Sequence, residues 1–147
     1  MKKLLLLAAI IAAIAIFRSF GGGQNNLGTG PVSLAASSSS AIARAFTARA
    51  DGISVEGQGD VVKVLPDDTK GSRHQRFIVR LDSGQTVLIA HNIDVAPRVA
   101  PLAPGDSVSF SGEYVWNDKG GIIHWTHHDP GGTHASGWIK RNGQVFQ

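Results

Sequence analysis

The sequence predicts an all-β domain: a small five-stranded OB-like barrel with a short N-terminal helix and a C-terminal hairpin. Three observations predict it. After Gly52 the apolar residues recur with period two rather than at helical spacing. Clusters of Asp, Asn, Ser, Gly and Pro punctuate these stretches. The run LAPGDSVSFSG, residues 102–112, sets a Gly-Asp turn directly before an alternating stretch, which suits the fourth strand of such a barrel. An SH3-like barrel and an open β-sandwich stay open as alternatives.

The elements follow in order. Residues 1–20, MKKLLLLAAIIAAIAIFRSF, hold two lysines, then fourteen uncharged apolar residues, then Arg18. A helix of that length spans roughly 21 Å, short of the roughly 30 Å hydrocarbon core of a bilayer. The segment reads as a signal peptide with small residues at 13–15 for cleavage, or as a membrane anchor extended through Phe20. Either way Lys2 and Lys3 stay cytoplasmic, and the rest is expected to be extracytoplasmic, in the periplasm. Residues 21–40, GGGQNNLGTGPVSLAASSSS, lack charge and aromatics and read as a disordered tether. The domain is expected over residues 41–147. It opens on a short helix, SAIARAFTARADG, capped by Ser40, ended by Gly52, and docked through Ile42 and Phe46.

Strands are expected in ISVEGQGDVVKVL, HQRFIVRLD, QTVLIAHNI, SVSFSGEYVW and GIIHWTHHD. Asp82-Ser83-Gly84 joins the second to the third, and Asn117 to Gly121 joins the fourth to the fifth. Three prolines in DVAPRVAPLAPGD exclude a long helix between the third and fourth. GWIKRNGQVF makes the terminal hairpin, with Asn142-Gly143 at its tip.

Composition narrows the function. The chain has no cysteine, which excludes a disulfide framework, a thiolate metal site and a lipidated cysteine. The net charge of +3 is unevenly spread. Residues 1–50 carry five basic and no acidic residues, whereas residues 51–147 carry nine basic and eleven acidic ones. The domain thus shows no basic excess of the kind that grips a phosphate backbone.

SRHQRFIVRLDSGQTVLIAHNIDVAPR, then GDSVSFSGEYVWNDKGGIIHWTHHDP, then the closing H-x-x-G-W-I-x-x-N-G-x-x-x-Q resemble the bacterial domain-of-unknown-function family 3465. The resemblance covers roughly residues 55–147. It implies an N-terminal hydrophobic segment and one compact domain, and it brings no activity, substrate or cofactor.

The chemistry therefore has to come from the residues. Six histidines all lie in the barrel part, and four of them fall within GGIIHWTHHDPGGTH, residues 120–134. Strand alternation would put His124, Thr126 and His128 on an outer face and Ile123, Trp125 and His127 inside. Three readings follow. In the first, His124, His128, Asp129 and His134 hold a divalent metal such as Zn, brought together by the bend at Asp129-Pro130-Gly131-Gly132. With an open position, such a site would make a metal-dependent hydrolase, a phosphodiesterase or nuclease. In the second, Arg73, His74, Arg76, His91, Asn92, Trp125 and Trp138 line a face that binds a small molecule, glycan or nucleic acid, the chain acting as a monomer. In the third, the histidines form a structural network in which buried rings give an N–H to a carbonyl or to Asp94, Asp129 or Glu113.

Overall fold

The structure is a computed structural model that describes residues 34–147; the expected leader and the first part of the tether lie outside them. The elements are α1 (Leu34–Ala48), β1 (Ile53–Asp68), β2 (His74–Leu81), β3 (Thr86–Asn92), β4 (Ser107–Val115), β5 (Ile122–His124), β6 (Trp138–Arg141) and β7 (Gln144–Phe146). The helix starts at Leu34 rather than at Ser40, so residues 34–40, expected in the tether, are helical. No Gly or Pro lies between Pro31 and Gly52, and the alanines and leucine there favour the helix. It ends on Arg49, in the left-handed region at φ 51°, with Ala50 N–H bonded to the Ala45 carbonyl at 3.0 Å.

The strands run β1-β2-β3-β5-β4, and a β1–β4 pairing closes them into a ring of five, in keeping with the OB-like expectation. All pairs in the ring are antiparallel except β3–β5. Alternation then sorts the side chains. Phe77, Val79, Val87, Ile89, Val108, Phe110, Tyr114 and Ile123 turn inward and are almost fully buried. β1 is long because two irregularities, near Val61 and between Leu65 and Asp68, bend it round the ring and accommodate Pro66.

α1 packs on β1. Ile42 is wholly buried, and it reaches the core over Gly57, where an added Cβ would lie 2.6 Å from the Phe110 ring and 3.1 Å from Ile42. Trp116 fixes the other end of the helix. Its ring stacks on Phe46 at 6.4 Å between centroids, its Nε1–H donates to the Phe46 carbonyl at 3.1 Å, and Arg49 sits 5.1 Å over it.

Two further arrangements position the site. The second edge of β4 is shared: Glu113–Val115 pair with β5, and Ser109–Ser111 pair with β6. The chain between β5 and β6, residues 125–137, therefore leaves the sheet and returns to the same strand. The proline-rich connection from β3 to β4 is held by Gln75, whose buried amide donates to the Val99 carbonyl and accepts from the Val99 N–H, both at 2.9 Å.

Replacing Ile42 with Ala should lower the stability of the domain by about 2–5 kcal/mol, the usual range for a buried Ile→Ala cavity. Urea unfolding of residues 34–147 measures it. An unchanged midpoint would mean that the helix does not complete the core.

Candidate functional site

The histidine-rich segment departs from strand alternation at one residue. Trp125 has φ 53°, which a bulky L side chain rarely adopts, and the strand stops at His124. The expected order is thereby overturned at two residues: Trp125 is 38% exposed and Thr126 is buried, while His127 is buried as alternation placed it. The reversal is held by close backbone packing. Gly137 N–H donates to the His127 carbonyl at 2.8 Å, and a Cβ on Gly137 would meet the Trp125 carbonyl at 2.1 Å. Residues 128–136 form the loop above this pinch.

Asp129 organises that loop. Its Oδ1 accepts from Gly131 N–H at 3.0 Å, and its Oδ2 accepts from the His134 N–H at 2.8 Å, from the Thr133 hydroxyl at 2.9 Å and from the Thr133 N–H. These donors hold its pKa down to about 2, the His134 amide contributing most. Trp125 lies among three imidazoles, stacked on His134 at 4.1 Å and flanked by His124 at 5.2 Å and His127 at 5.9 Å.

The four residues considered for a metal are engaged separately. His124 Nε2 lies 3.2 Å from Glu113 Oε1, His128 Nδ1 lies 3.2 Å from the Ser136 hydroxyl, and Asp129 serves the loop amides. His134 Nε2 is 3.8 Å from Asp129 Oδ2. Among the described residues no three His, Cys, Asp or Glu side chains gather as an ion would need.

The residues considered for ligand binding divide into groups. His91 is wholly buried inside the ring. Its Nε2 lies 3.0 Å from the Pro97 carbonyl and its Nδ1 2.9 Å from the Thr126 hydroxyl. A carbonyl only accepts, so Nε2 carries the proton and Nδ1 accepts from Thr126. Both ring nitrogens are thus occupied, and His91 locks the proline-rich connection to the start of the histidine loop. Burial lowers its pKa, outweighing the favourable Pro97 contact. Arg73 pairs with Asp94, Nε to Oδ1 at 2.7 Å, and Asn92 Oδ1 accepts the Asp94 N–H at 3.0 Å, so both shape the loops at one end of β2 and β3. Trp138 stands on the outer face of β6 beneath Lys140, whose Nζ is 4.2 Å from the ring.

His74 and Arg76 do come together, with His124, in an open groove of about 290 Å³ on the outer face of β2, β3 and β5. Its floor is apolar, made by Ala90, Val115 and Ile122, and Asp68 closes one end. The register explains the grouping: Arg76 pairs with Ala90, and Ile122 lies between Leu88 and Val115. Arg76 Nε donates to the Pro66 carbonyl at 3.0 Å, which fixes the guanidinium and leaves its terminal nitrogens toward other partners. Burial lowers the pKa of His124, outweighing the opposing pull of Glu113, so the ring is neutral at pH 7. Sequence reading missed the floor, because it depends on which neighbours the register supplies. It also missed Gln75, whose only sequence signal is a polar residue at an inward position of a strand.

Fold and site define a small OB-like domain that uses one histidine as a core lock, several in a surface loop and two at the rim of a groove. The chain belongs to the family described as Protein of unknown function (DUF3465), whose family model matches residues 27–147. No match is found among the curated proteins.

The lowered pKa of His91 gives a signed expectation. Unfolded His91 binds a proton near pH 6.5 that the folded ring resists. Its contribution is therefore complete above about pH 6.5 and lost progressively as pH falls below it. Urea midpoints between pH 7.5 and 5 should fall for the wild type and fall less steeply for His91→Gln. Equal slopes in the two proteins would remove His91 as the source.

Proposed function

We propose that this protein is an extracytoplasmic binding module, and that its ligand is a small molecule with an apolar body and an anionic or acceptor group. The observation that carries this reading is the groove on β2, β3 and β5. Ala90, Val115 and Ile122 offer a flat apolar floor, with Arg76 as the donor and the His74 and His124 rings at its rim. A volume of about 290 Å³ is close to the lower end for small-molecule sites, roughly 300 Å³. Arg76 supplies the permanent positive charge and the hydrogen-bond donors, while the ring N–H of His74 faces the Ser72 carbonyl and that of His124 faces Glu113. The apolar run at residues 4–17 supports the location, as a signal peptide or membrane anchor. Among the described residues no helix is long and apolar enough to cross a membrane.

The test is a titration of ¹⁵N-labelled residues 34–147 with benzoate, phenyl phosphate, octanoate and glycerol phosphate. At least one amphipathic anion should shift amides of Arg76, Ala90, Ile122 and His124. Arg76→Ala should weaken that binding about tenfold or more, as expected for loss of a charge-assisted hydrogen bond. Shifts confined to other surfaces, or an Arg76→Ala protein that binds as well, would sink the reading. Fusing residues 1–40 to a reporter that is active only outside the cytoplasm tests the location, and an inactive reporter would refute it.

A further inference from the structure

A second cavity, larger than the groove, lies on a different face. It measures about 450 Å³ and sits between β1, β4 and the β6–β7 hairpin. Pairing register fixes its make-up. Gln58, Ser109 and Lys140 form one row across three strands and line the cavity, and the next row, Glu56, Ser111 and Trp138, lies just beyond it on the same face. Longer side chains on β1 and β6 thus stand on either side of short hydroxyls on β4. Toward β5 the same face continues to a smaller recess, where Ser111, Glu113, Trp125 and His134 meet. From Ser107 to Glu113 the strand covers about 20 Å at roughly 3.3 Å per residue. The site is therefore elongated, with both indoles toward its Glu113 end, Trp138 paired with Ser111 and Trp125 lining the recess.

We infer that this trough binds a neutral oligosaccharide chain. Sugars present hydroxyls that both donate and accept, and apolar C–H faces that lie against aromatic rings. Gln58, Ser109, Ser111 and Glu113 supply the matching amide, hydroxyl and carboxylate groups, Trp125 supplies a ring in the recess, and Trp138 stands beside Ser111 on the same face. Charge argues against a phosphate backbone. Arg141 is held by Asp106 at 3.0 Å, and Asp60 and Asp82 offset the remaining Lys140. The length of the trough argues against a single sugar. This site does not depend on the groove proposed above.

Four tetraoses serve as probes: cellotetraose, chitotetraose, maltotetraose and mannotetraose, titrated into residues 34–147 with amide shifts and tryptophan fluorescence as readouts. At least one should shift Gln58, Ser109 and Ser111. Ser111→Leu, an outward change that fills the trough, should weaken it at least tenfold, while Arg76→Ala should not. Lys140→Ala uncovers Trp138 and should strengthen binding of a neutral sugar, whereas an anionic polymer would bind it more weakly. Failure of all four tetraoses at millimolar concentration overturns the inference. So does binding that Ser111→Leu leaves intact, or preference for oligo(dT) over every sugar. Loss of sugar binding in Arg76→Ala alone would assign the sugar to the groove instead.

Discussion

Closure of the ring through β1 and β4 is the constraint on which the rest of the structure depends. Eight consecutive pairs, Ile53 with Tyr114 through Asp60 with Ser107, join the first strand to the fourth. Once closed, the sheet has no freedom to slip by one residue, because a slip would turn every buried side chain outward. Both outer faces follow from this. The row that places Arg76 beside Ala90 and the row that places Ser111 beside Trp138 are consequences of registers that the core enforces. The edge of a strand is the other scarce resource. β4 gives its free edge first to β6 and then to β5, so the chain between them must leave the sheet.

A ring of this size encloses little volume, and two polar side chains occupy part of it. Gln75 and His91 are both buried, and each uses its side chain to bind backbone that has no sheet partner. Three prolines leave this long connection short of backbone donors, so part of its backbone must find partners elsewhere. The amide of Gln75 takes both groups of Val99, and the imidazole of His91 takes the carbonyl of Pro97. Net worth per bond is modest, about 1 kcal/mol, yet the cost of leaving such groups unpaired in the core is larger. These two residues therefore decide whether the β3–β4 connection packs as one conformation. Through Thr126 they also reach the foot of the histidine loop.

The fold was legible in the sequence because alternation and turn chemistry are local. Val-x-Phe-x-Gly-x-Tyr in β4, Asp82-Ser83-Gly84 and Asn142-Gly143 each state their own geometry. The site was legible only in part. His74 and Arg76 are two apart on a strand, so their shared face could be read directly. Their floor could not, since Ala90, Val115 and Ile122 come from three other strands. The inward placement of Trp125 failed for a different reason. Its left-handed backbone is stabilised by Gly137, twelve positions later, whose missing Cβ leaves room for the Trp125 carbonyl. No pattern within GIIHWTHHD contains that information. The early start of the helix was obscured by serines, which resemble a linker in composition but form helix once Gly and Pro are absent.

The abundance of imidazole has a physical account that involves no common ligand. In His74, His127 and His134, Nδ1 faces a backbone carbonyl nearby in the chain: Ser72 at 2.8 Å, His128 at 2.9 Å and Ala135 at 2.8 Å. A carbonyl cannot donate, so each ring carries its proton on Nδ1. Each histidine thus satisfies an acceptor in irregular backbone, while its flat ring packs where Lys or Arg could not. The stack of His134 on Trp125 is the clearest case, since one ring caps Ala135 and covers an indole at once. The same tautomer has a functional consequence. With Nδ1 committed to the chain, Nε2 is left unprotonated and becomes the acceptor, so in the groove His74 offers a ligand an acceptor. His124 gives its own N–H to Glu113, so Arg76 must provide the donors at neutral pH. The anion affinity of the groove is thereby coupled to the backbone contacts that fix its histidine, a link set by the carbonyl of Ser72.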